Sequence, residues 1–563
     1  MRQLFLFILL SILSVSANSK EINVFSLEDL KKIESSHPTY ILNSDIDLKG
    51  AIIELPENST IMLNNRIIYN GCIKGNKTEL DFSKGGKAEN VEFQGTYSLE
   101  EVHYQWFSNY RDDTELLRAM FHLLFHSVRK CSLYLQPQRT YYVDCVKPLK
   151  YGHSLFEYYE ICNKTIYGNN STIDDQRSRH FIGYKTYDGV FLFSGCHDIT
   201  IEKLHYQNLN EDFEKVCDDE GNILYKEGIE NQIGYVGTSY ILLQNDCSKF
   251  NIECNIVGAR YGIKVGDYSM FWLCGDYGLK NSNLNIKAFK TGYPVAIEVG
   301  DYLDIEVESD THHRAAYLCG ISNSKIHIKA KNILISPFHC LLSDTHYSKD
   351  NNKNVKYKSC YNIDVFVEEL GTELEKDGAA YCVGFQTYHT NPFKQRTEPL
   401  VWENIHVRIE KKAYSKQVGL FSFSRMDSKD ESDPRRLNDI FKNIYIEAYN
   451  KFQPSSYWEA KIITSNEVTY QNVKFKIKAP FSDVILDNKN KYIFDFATSD
   501  IHYLEYFGAA KTENCIIKKK WPSVIAYSTI CDLYNNIIYI PIFLCILVII
   551  VIFGIFYSVS KKH

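Results

Sequence analysis

Polar and apolar residues alternate in short runs through the middle of the chain, and the runs repeat. Nine six-residue segments align without gaps: CHDITI from Cys196, CSKFNI from Cys247, NSNLNI from Asn281, YLDIEV from Tyr302, NSKIHI from Asn323, CYNIDV from Cys360, WENIHV from Trp402, FKNIYI from Phe441 and YQNVKF from Tyr470. The shared pattern is Cys or an aromatic residue, any residue, then Asn, Asp or Lys, and finally apolar-any-apolar. Its last three positions alternate as a strand with one buried face does. The residue before them, Asn362, Asn404, Asn443 or Asn472, tolerates the left-handed backbone of a sharp corner. Each segment reads as a corner followed by a strand, and Ile305, Ile326, Ile363, Ile405 and Ile444 are expected in one inward column.

A second strand follows in most repeats, as in ARYGIKVG, YPVAIEVG, RAAYLCG, AAYCVGF and VGLFSF. The repeat starts at 281, 302 and 323 are 21 residues apart, the length of one turn of three short strands. Longer steps elsewhere leave room for inserted loops. The pattern predicts an all-β chain of stacked parallel turns, a solenoid. Its Cys residues fall in register: Cys196, Cys247 and Cys360 take the slot that Tyr302, Trp402, Phe441 and Tyr470 fill in other segments, and Cys319, Cys340 and Cys382 lie in second strands. A column of buried thiols is expected rather than a set of disulfides.

Outside the repeat, the stretch from Thr114 to Lys130 has helical spacing of Leu116, Leu117, Met120, Leu123, Leu124 and Val128. A capping box opens it, Asp112 accepting from the Glu115 amide while Glu115 reaches back. This helix is expected to cover the open end of the solenoid. The first residues read as a signal peptide, and the 23 uncharged residues from Ile537 to Val559 suit one transmembrane helix, long enough for a hydrocarbon core of about 30 Å. The expected organisation is 1–17 signal peptide, 18–100 β-rich N-terminal region, 101–490 parallel β-helix, 491–536 cap and stalk, 537–559 membrane helix and 560–563 cytoplasmic tail. Lys561 and Lys562 hold the tail inside, so the bulk of the chain is expected to be periplasmic or extracellular.

Composition narrows the partner. The chain holds 41 Tyr and 32 Phe, which favours strands. A formal charge of −6 with no basic stripe gives no footprint for nucleic acid. The Cys and His spacing provides no metal-ligand pattern, and no cofactor is called for.

The stretch WFSNYRDDTELLRAMF, followed by CSLYLQPQRTYYVD and NKTIYGNNSTI, resembles the opening of the pectate-lyase-like superfamily, also met in polygalacturonases and phage tailspikes. The preceding segment LPENSTIMLNNRIIYNGCIKGNKTEL is similar to the N-terminal module of envelope proteins of Bacteroidetes-type bacteria. The resemblance covers roughly residues 40–480 and implies a right-handed single-stranded parallel β-helix with a polysaccharide partner. Calcium, and a homotrimer like that of tailspikes, enter by this resemblance alone. Asp112 and Asp113 match the family opening, where a helix-cap role explains them. The chain departs from the polygalacturonase signatures: it has no Asn-Thr-Asp, Gly-His-Gly or Arg-Ile-Lys, and Asp174-Asp175 reads as a polar corner. Hydrolysis by that mechanism is not supported.

Two groups of residues carry candidate chemistry. Equal register around a solenoid means spatial neighbourhood, at a rise of about 4.8 Å per turn. Second-strand ends are expected to supply a substrate-binding line of Asp267, Asp301, Asp344, Tyr388, His389, Arg425 and Asp427. The second group lies in THHRAAY. Cutting a uronic-acid polymer by β-elimination needs a base, a cation beside the carboxylate and an acid for the leaving oxygen; His313, Arg314 and Tyr317 are the candidates. Regular alternation would put Arg314 and Tyr317 on opposite faces. The expected function is a membrane-anchored protein that binds and cleaves polysaccharide as a lyase or glycosidase; a non-catalytic glycan-binding adhesin and a uronic-acid epimerase are the alternatives.

Overall fold

The computed structural model describes residues 20–144 without 33–36, then 154–176, 189–208, 239–265 without 260, 278–310, 314–343 without 334 and 335, 359–371, 381–389, 399–412, 419–427, 439–450 and short strand segments between 461 and 518. The expected signal peptide and the expected membrane helix Ile537–Val559 lie outside the described residues. Among those described, no helix is long and apolar enough to cross a membrane. The chain is mostly β, with parallel sheets of the kind that make a β-helix, and it divides into two compact units, the first essentially up to Ser309 and the second from Asp310 onward.

The first unit begins with strands that already repeat. Glu21 pairs with Thr39, Thr39 with Thr60 and Thr60 with Glu79, all in parallel, so the N-terminal region is itself a stack of short turns. Strand Lys87–Tyr97 closes it against the helix Asp113–Phe125. That helix packs on its other side against Cys131–Tyr134 and Thr140–Val143, with Phe121 edge-on to Phe156 and Phe191. It lies between N-terminal strands and later turns rather than over a free end. Asp112 accepts from the Glu115 amide at 2.8 Å, as expected. The Glu115 carboxylate, however, is taken by the Arg111 guanidinium, so only half of the capping box forms. The helix stops at Phe125 and leaves Val128 54% exposed.

Later turns of the first unit form two parallel sheets. One contains Cys162–Asp175, His197–Gln207, Cys247–Val257 and Leu279–Phe289; the other Phe156–Tyr159, Gly189–Ser194, Ser239–Gln244, Tyr261–Val265 and Tyr293–Ile297. The second unit repeats the scheme. Its hexapeptide strands Ile321–Lys331, Ser359–Glu369, Val401–Lys411, Asp439–Asn450 and Val468–Lys478 form one sheet, and Arg314–Cys319, Ser336–Ser343, Tyr381–His389 and Gly419–Asp427 another.

Register corrects the hexapeptide alignment. Ile363, Ile405 and Ile444 stand side by side as expected. Ile326, however, pairs with Val365, and Ser324 pairs with Ile363; likewise Ile252 pairs with Leu284 rather than Ile286. The corner residues with positive φ are Asp198, Lys249 and Asn281 in one unit and Asn323, Asn362, Asn404 and Asn443 in the other. They are third in the outer segments but first in NSNLNI and NSKIHI, so the middle segments slip by two residues. A slip of two keeps every side chain on its own face, which is why Ile326 is still buried. Tyr302, expected in the Cys slot, is instead a corner residue at φ 53° and 58% exposed. In the second unit the corner amides form a ladder: Asn362 donates to Asn323 at 2.8 Å, Asn404 to Asn362 at 3.1 Å and Asn443 to Asn404 at 3.0 Å.

Ten cysteines among the described residues are free thiols, and all but Cys162 are buried. Burial pushes the Cys196 and Cys247 thiols up to about 11 and about 12, so they remain protonated and behave as small apolar residues.

Candidate functional site

In the second unit, strand Arg314–Cys319 is buried from Ala315 onward, and Ser336–Ser343 and Tyr381–His389 lie beside it. Strands buried on both faces read as continuous apolar runs, and polar residues within them have to be met by other protein groups. Register aligns Arg314 with Ser336, Tyr317 with His339, and His339 with Gly384. The His339 ring stacks on Tyr317 with centroids 5.4 Å apart at 10°. On its other side lies Tyr381, 6.2 Å away at 29°. Gly384 makes this possible, because a Cβ there would stand 2.1 Å from Cε2 of Tyr381.

The hydrogen bonds assign the proton on His339. Its Nε2 lies 3.0 Å from Oε1 of Gln386, a carbonyl oxygen that only accepts, so Nε2 carries the hydrogen. Nδ1 then accepts from the Tyr381 hydroxyl at 3.1 Å. Burial, and next the nearby charge of Arg314, pull the His339 pKa down to about 3, which leaves the imidazole neutral. Burial raises the Tyr381 phenol above its ordinary value, while Arg314 and Ser336 act against that rise.

Arg314 is the unusual member. Its guanidinium lies 5.1 Å from the centroid of the Tyr317 ring, so the two meet despite their odd spacing along the strand. Its Nε is buried without a well-aligned hydrogen-bond partner, as is Thr387 Oγ1, although the Arg314 and Ser336 side chains both lie close enough to the Tyr381 hydroxyl to hold its phenol down. No ion pair reaches Arg314 from any described carboxylate. Other part-buried or packed arginines are matched: Arg139 with Asp113 at 2.6 Å, and Arg408 with Glu410.

The expected residues fare differently. Arg314 and Tyr317 come together. His313, Asp267 and Asp344 lie outside the described residues. Tyr388 pairs in register with Met426, His389 with Asp427, and Arg425 with Thr387, which gathers Tyr388, His389, Arg425 and Asp427 at neighbouring strand ends. Asp301 is not at a second-strand end; it is the second residue of Gly300–Asp310, a hexapeptide strand, because the preceding second strand stops at Ile297. Sequence reasoning missed His339, Tyr381, Gln386 and Ser336. Aligning RAAYLC, SPFHCLLS and YCVGFQ by register would have put Tyr317, His339 and Gly384 in one column.

Two carboxylate pairs in the first unit prove structural. Asp113 accepts from Arg139 and, at 2.9 Å, from the Tyr142 amide, which ties the helix start to the next strand. A cleft of about 420 Å³ opens there, lined by Tyr110, Arg111, Asp112, Arg139 and Tyr142 among others, but its charged groups satisfy one another. Asp174 and Asp175 are not a polar corner: they end a strand and are buried, receiving Gln207 Nε2 at 2.9 Å and Tyr206 Oη at 3.1 Å. Among the described residues no group of three His, Cys, Asp or Glu is placed to hold a metal.

No protein-family model and no curated protein matches the chain. Among solved structures, the catalytic domain of a GH87 alpha-1,3-glucanase in complex with tetrasaccharides aligns over 89% of this chain and 68% of that chain, at 10% identity and a TM-score of 0.27. That overlap is too shallow to argue from.

Proposed function

We propose that the chain is a right-handed parallel β-helix of the pectate-lyase-like kind, anchored by one C-terminal membrane helix, whose extracytoplasmic part binds polysaccharide. The polar cluster of Arg314, Tyr317, His339, Tyr381 and Gln386 is the site in this reading. The observation that carries it is Arg314, a part-buried cation with an unmet N–H and no counter-charge among the described residues. Leaving a buried N–H without an acceptor is costly, and sites built for ligands tolerate that cost. Stacked turns also offer an elongated surface to an elongated polymer.

Cleavage is the second reading, by lyase or glycosidase chemistry, and the hydrogen bond from Tyr381 to His339 favours it by coupling a phenol to an imidazole beside a cation. Binding takes precedence, because both His339 nitrogens are occupied and its basicity is low. The test applies the full chain in detergent micelles to a glycan array and then assays any bound glycan for release of unsaturated or reducing ends. Retention of a glycan by the wild type and its loss in Arg314→Gln is the expected result. Retention that Arg314→Gln leaves unchanged would remove the cluster from the site, and an array without any bound glycan would defeat the polysaccharide reading itself.

A further inference from the structure

We infer that the turn tying the end of the helix Asp113–Phe125 to the N-terminal strands is an acid-sensitive joint, closed while His122 and His126 are neutral and released when they take up protons. The two residues stand one helical turn apart and their rings stack, with centroids 4.1 Å apart at 24°. Two imidazolium ions in that arrangement repel, as like charges at this spacing on a helix do. The pair also sits where the chain is tied. The His126 carbonyl accepts from the Tyr97 amide at 3.0 Å, and the Val128 amide donates to the Tyr97 carbonyl at 2.7 Å. Ser127 Oγ accepts from the Leu99 amide and gives its own hydrogen to the Leu99 carbonyl. His122 Nε2 donates to the Gly95 carbonyl at 3.0 Å, and its ring stands edge-on to Tyr97. Movement of either ring therefore loosens the whole set of bonds.

The surrounding groups are cationic or neutral. Arg118 lies one turn earlier on the same helix. Strand Lys87–Tyr97 contributes Tyr97, strand Cys162–Asp175 contributes Lys164, which is 4% exposed, and strand Cys131–Tyr134 contributes Cys131, the register partner of Lys164. Glu100 and Glu101, which follow Leu99, are exposed and engaged by Arg129 and His103. The carbonyl end of a helix ordinarily welcomes a cation. Here Lys164 already fills that role, its Nζ donating to the carbonyls of Ser127 at 2.9 Å and Arg129 at 2.6 Å. Burial, and then the neighbouring His126, lower the His122 pKa from 6.5 to about 4; burial, and then Lys164, lower that of His126. Both rings bind protons more readily once the joint opens, so its closure is complete above about pH 6.5 and weakens as pH falls toward 4.

Amide hydrogen exchange of the full chain in micelles, read by mass spectrometry and corrected for the intrinsic pH dependence of exchange, reports on the joint at the amides of Tyr97, Leu99 and Val128. Opening there is expected to rise about thirtyfold between about pH 7.5 and about pH 5, the factor for one histidine whose pKa moves from about 4 to 6.5 on release. Strands of the second unit should change less. His122→Gln combined with His126→Gln should flatten the rise, since Gln keeps a donor without titrating in this range, whereas His339→Gln should leave it in place. Thermal unfolding at neutral pH establishes that each variant folds. Exchange of the imidazole carbon hydrogens in the wild type gives the two proton affinities without any substitution, and both are expected below 6.5. Protection at the joint that does not change with pH, a rise equal across both units, a rise that persists in the folded double variant, or two imidazoles that titrate at the ordinary value would each overturn the inference.

Discussion

The two kinds of sheet in this chain solve different problems. In Cys247–Val257 of the first unit and Val401–Lys411 of the second, buried and exposed residues alternate along most of the strand. One face fills the core and the other meets water, where charges pair across turns, as Lys442 does with Glu403 at 2.6 Å. Second strands such as Ser239–Gln244 and Arg314–Cys319 bury both faces over nearly all their length. A polar group there has no water to fall back on. The alternating sheet can therefore carry many charges without meaning, whereas each polar residue of the doubly buried sheet needs a partner. The contrast makes Arg314 informative and Arg408 ordinary.

The sharpest way to break this contrast is Gly384→Ala. On the buried sheet the new Cβ would force the Tyr381 ring away, since it would lie 2.1 Å from Cε2. A loss of about 1–3 kcal/mol is expected from overpacking, read by urea unfolding, together with loss of glycan binding. If binding and stability both survive, the ring is not seated as described.

The same sheet should give the chain a pH dependence through His339. Its folded pKa of about 3 lies below the ordinary value of 6.5, so the unfolded chain takes up the proton first. The stabilisation from the neutral imidazole is complete above about pH 6.5 and declines as pH falls toward 3. Replacing His339 with Gln should flatten unfolding midpoints across that window relative to wild type. His122 in the first unit, lowered to about 4 by burial and then by His126, leaves a residual slope in the variant.

How much of this the sequence revealed depends on alternation. Hexapeptide strands show their period because one face is wet, and the Asn residues at their corners stand out as the few that accept positive φ at low cost. The two-residue slip at Asn281 and Asn323 was invisible, because it preserves the inner and outer faces. Second strands hide their register, being apolar on both sides and joined by connections of very different length. A lone His339 within SPFHCLLS looks like core, and nothing local announces that Tyr317, Gly384 and Tyr381 are its neighbours. Arg314 and Tyr317 were legible as chemistry, but their partners were legible only as packing. Val128 was misread because helical spacing continues past the point where the chain turns, and the capping box because the Arg111 guanidinium takes the Glu115 carboxylate.

A smaller effect belongs to the alternating sheet. Tyr302 holds φ 53° with its ring largely in water, a position where most of the other turns use Asn. Tyr302→Asn should stabilise the chain by about 0.5–1 kcal/mol, since Asn meets the left-handed region with less strain. Destabilisation would mean that the ring contributes packing that its exposure does not reveal.

The central claim, that the doubly buried sheet carries the site while the alternating sheet carries only structure, is tested most directly by a matched pair of arginines. Arg314→Gln and Arg408→Gln should be made in the full chain and compared for glycan binding by calorimetry and for urea unfolding. Arg314→Gln is expected to lose binding while stability holds or rises, because a part-buried charge with no ion-pair partner among the described residues has been removed. Arg408→Gln is expected to keep binding and to lose stability, because the buried Glu410 carboxylate then lacks its ion-pair cation. Binding that depends on Arg408 and ignores Arg314 would contradict the account.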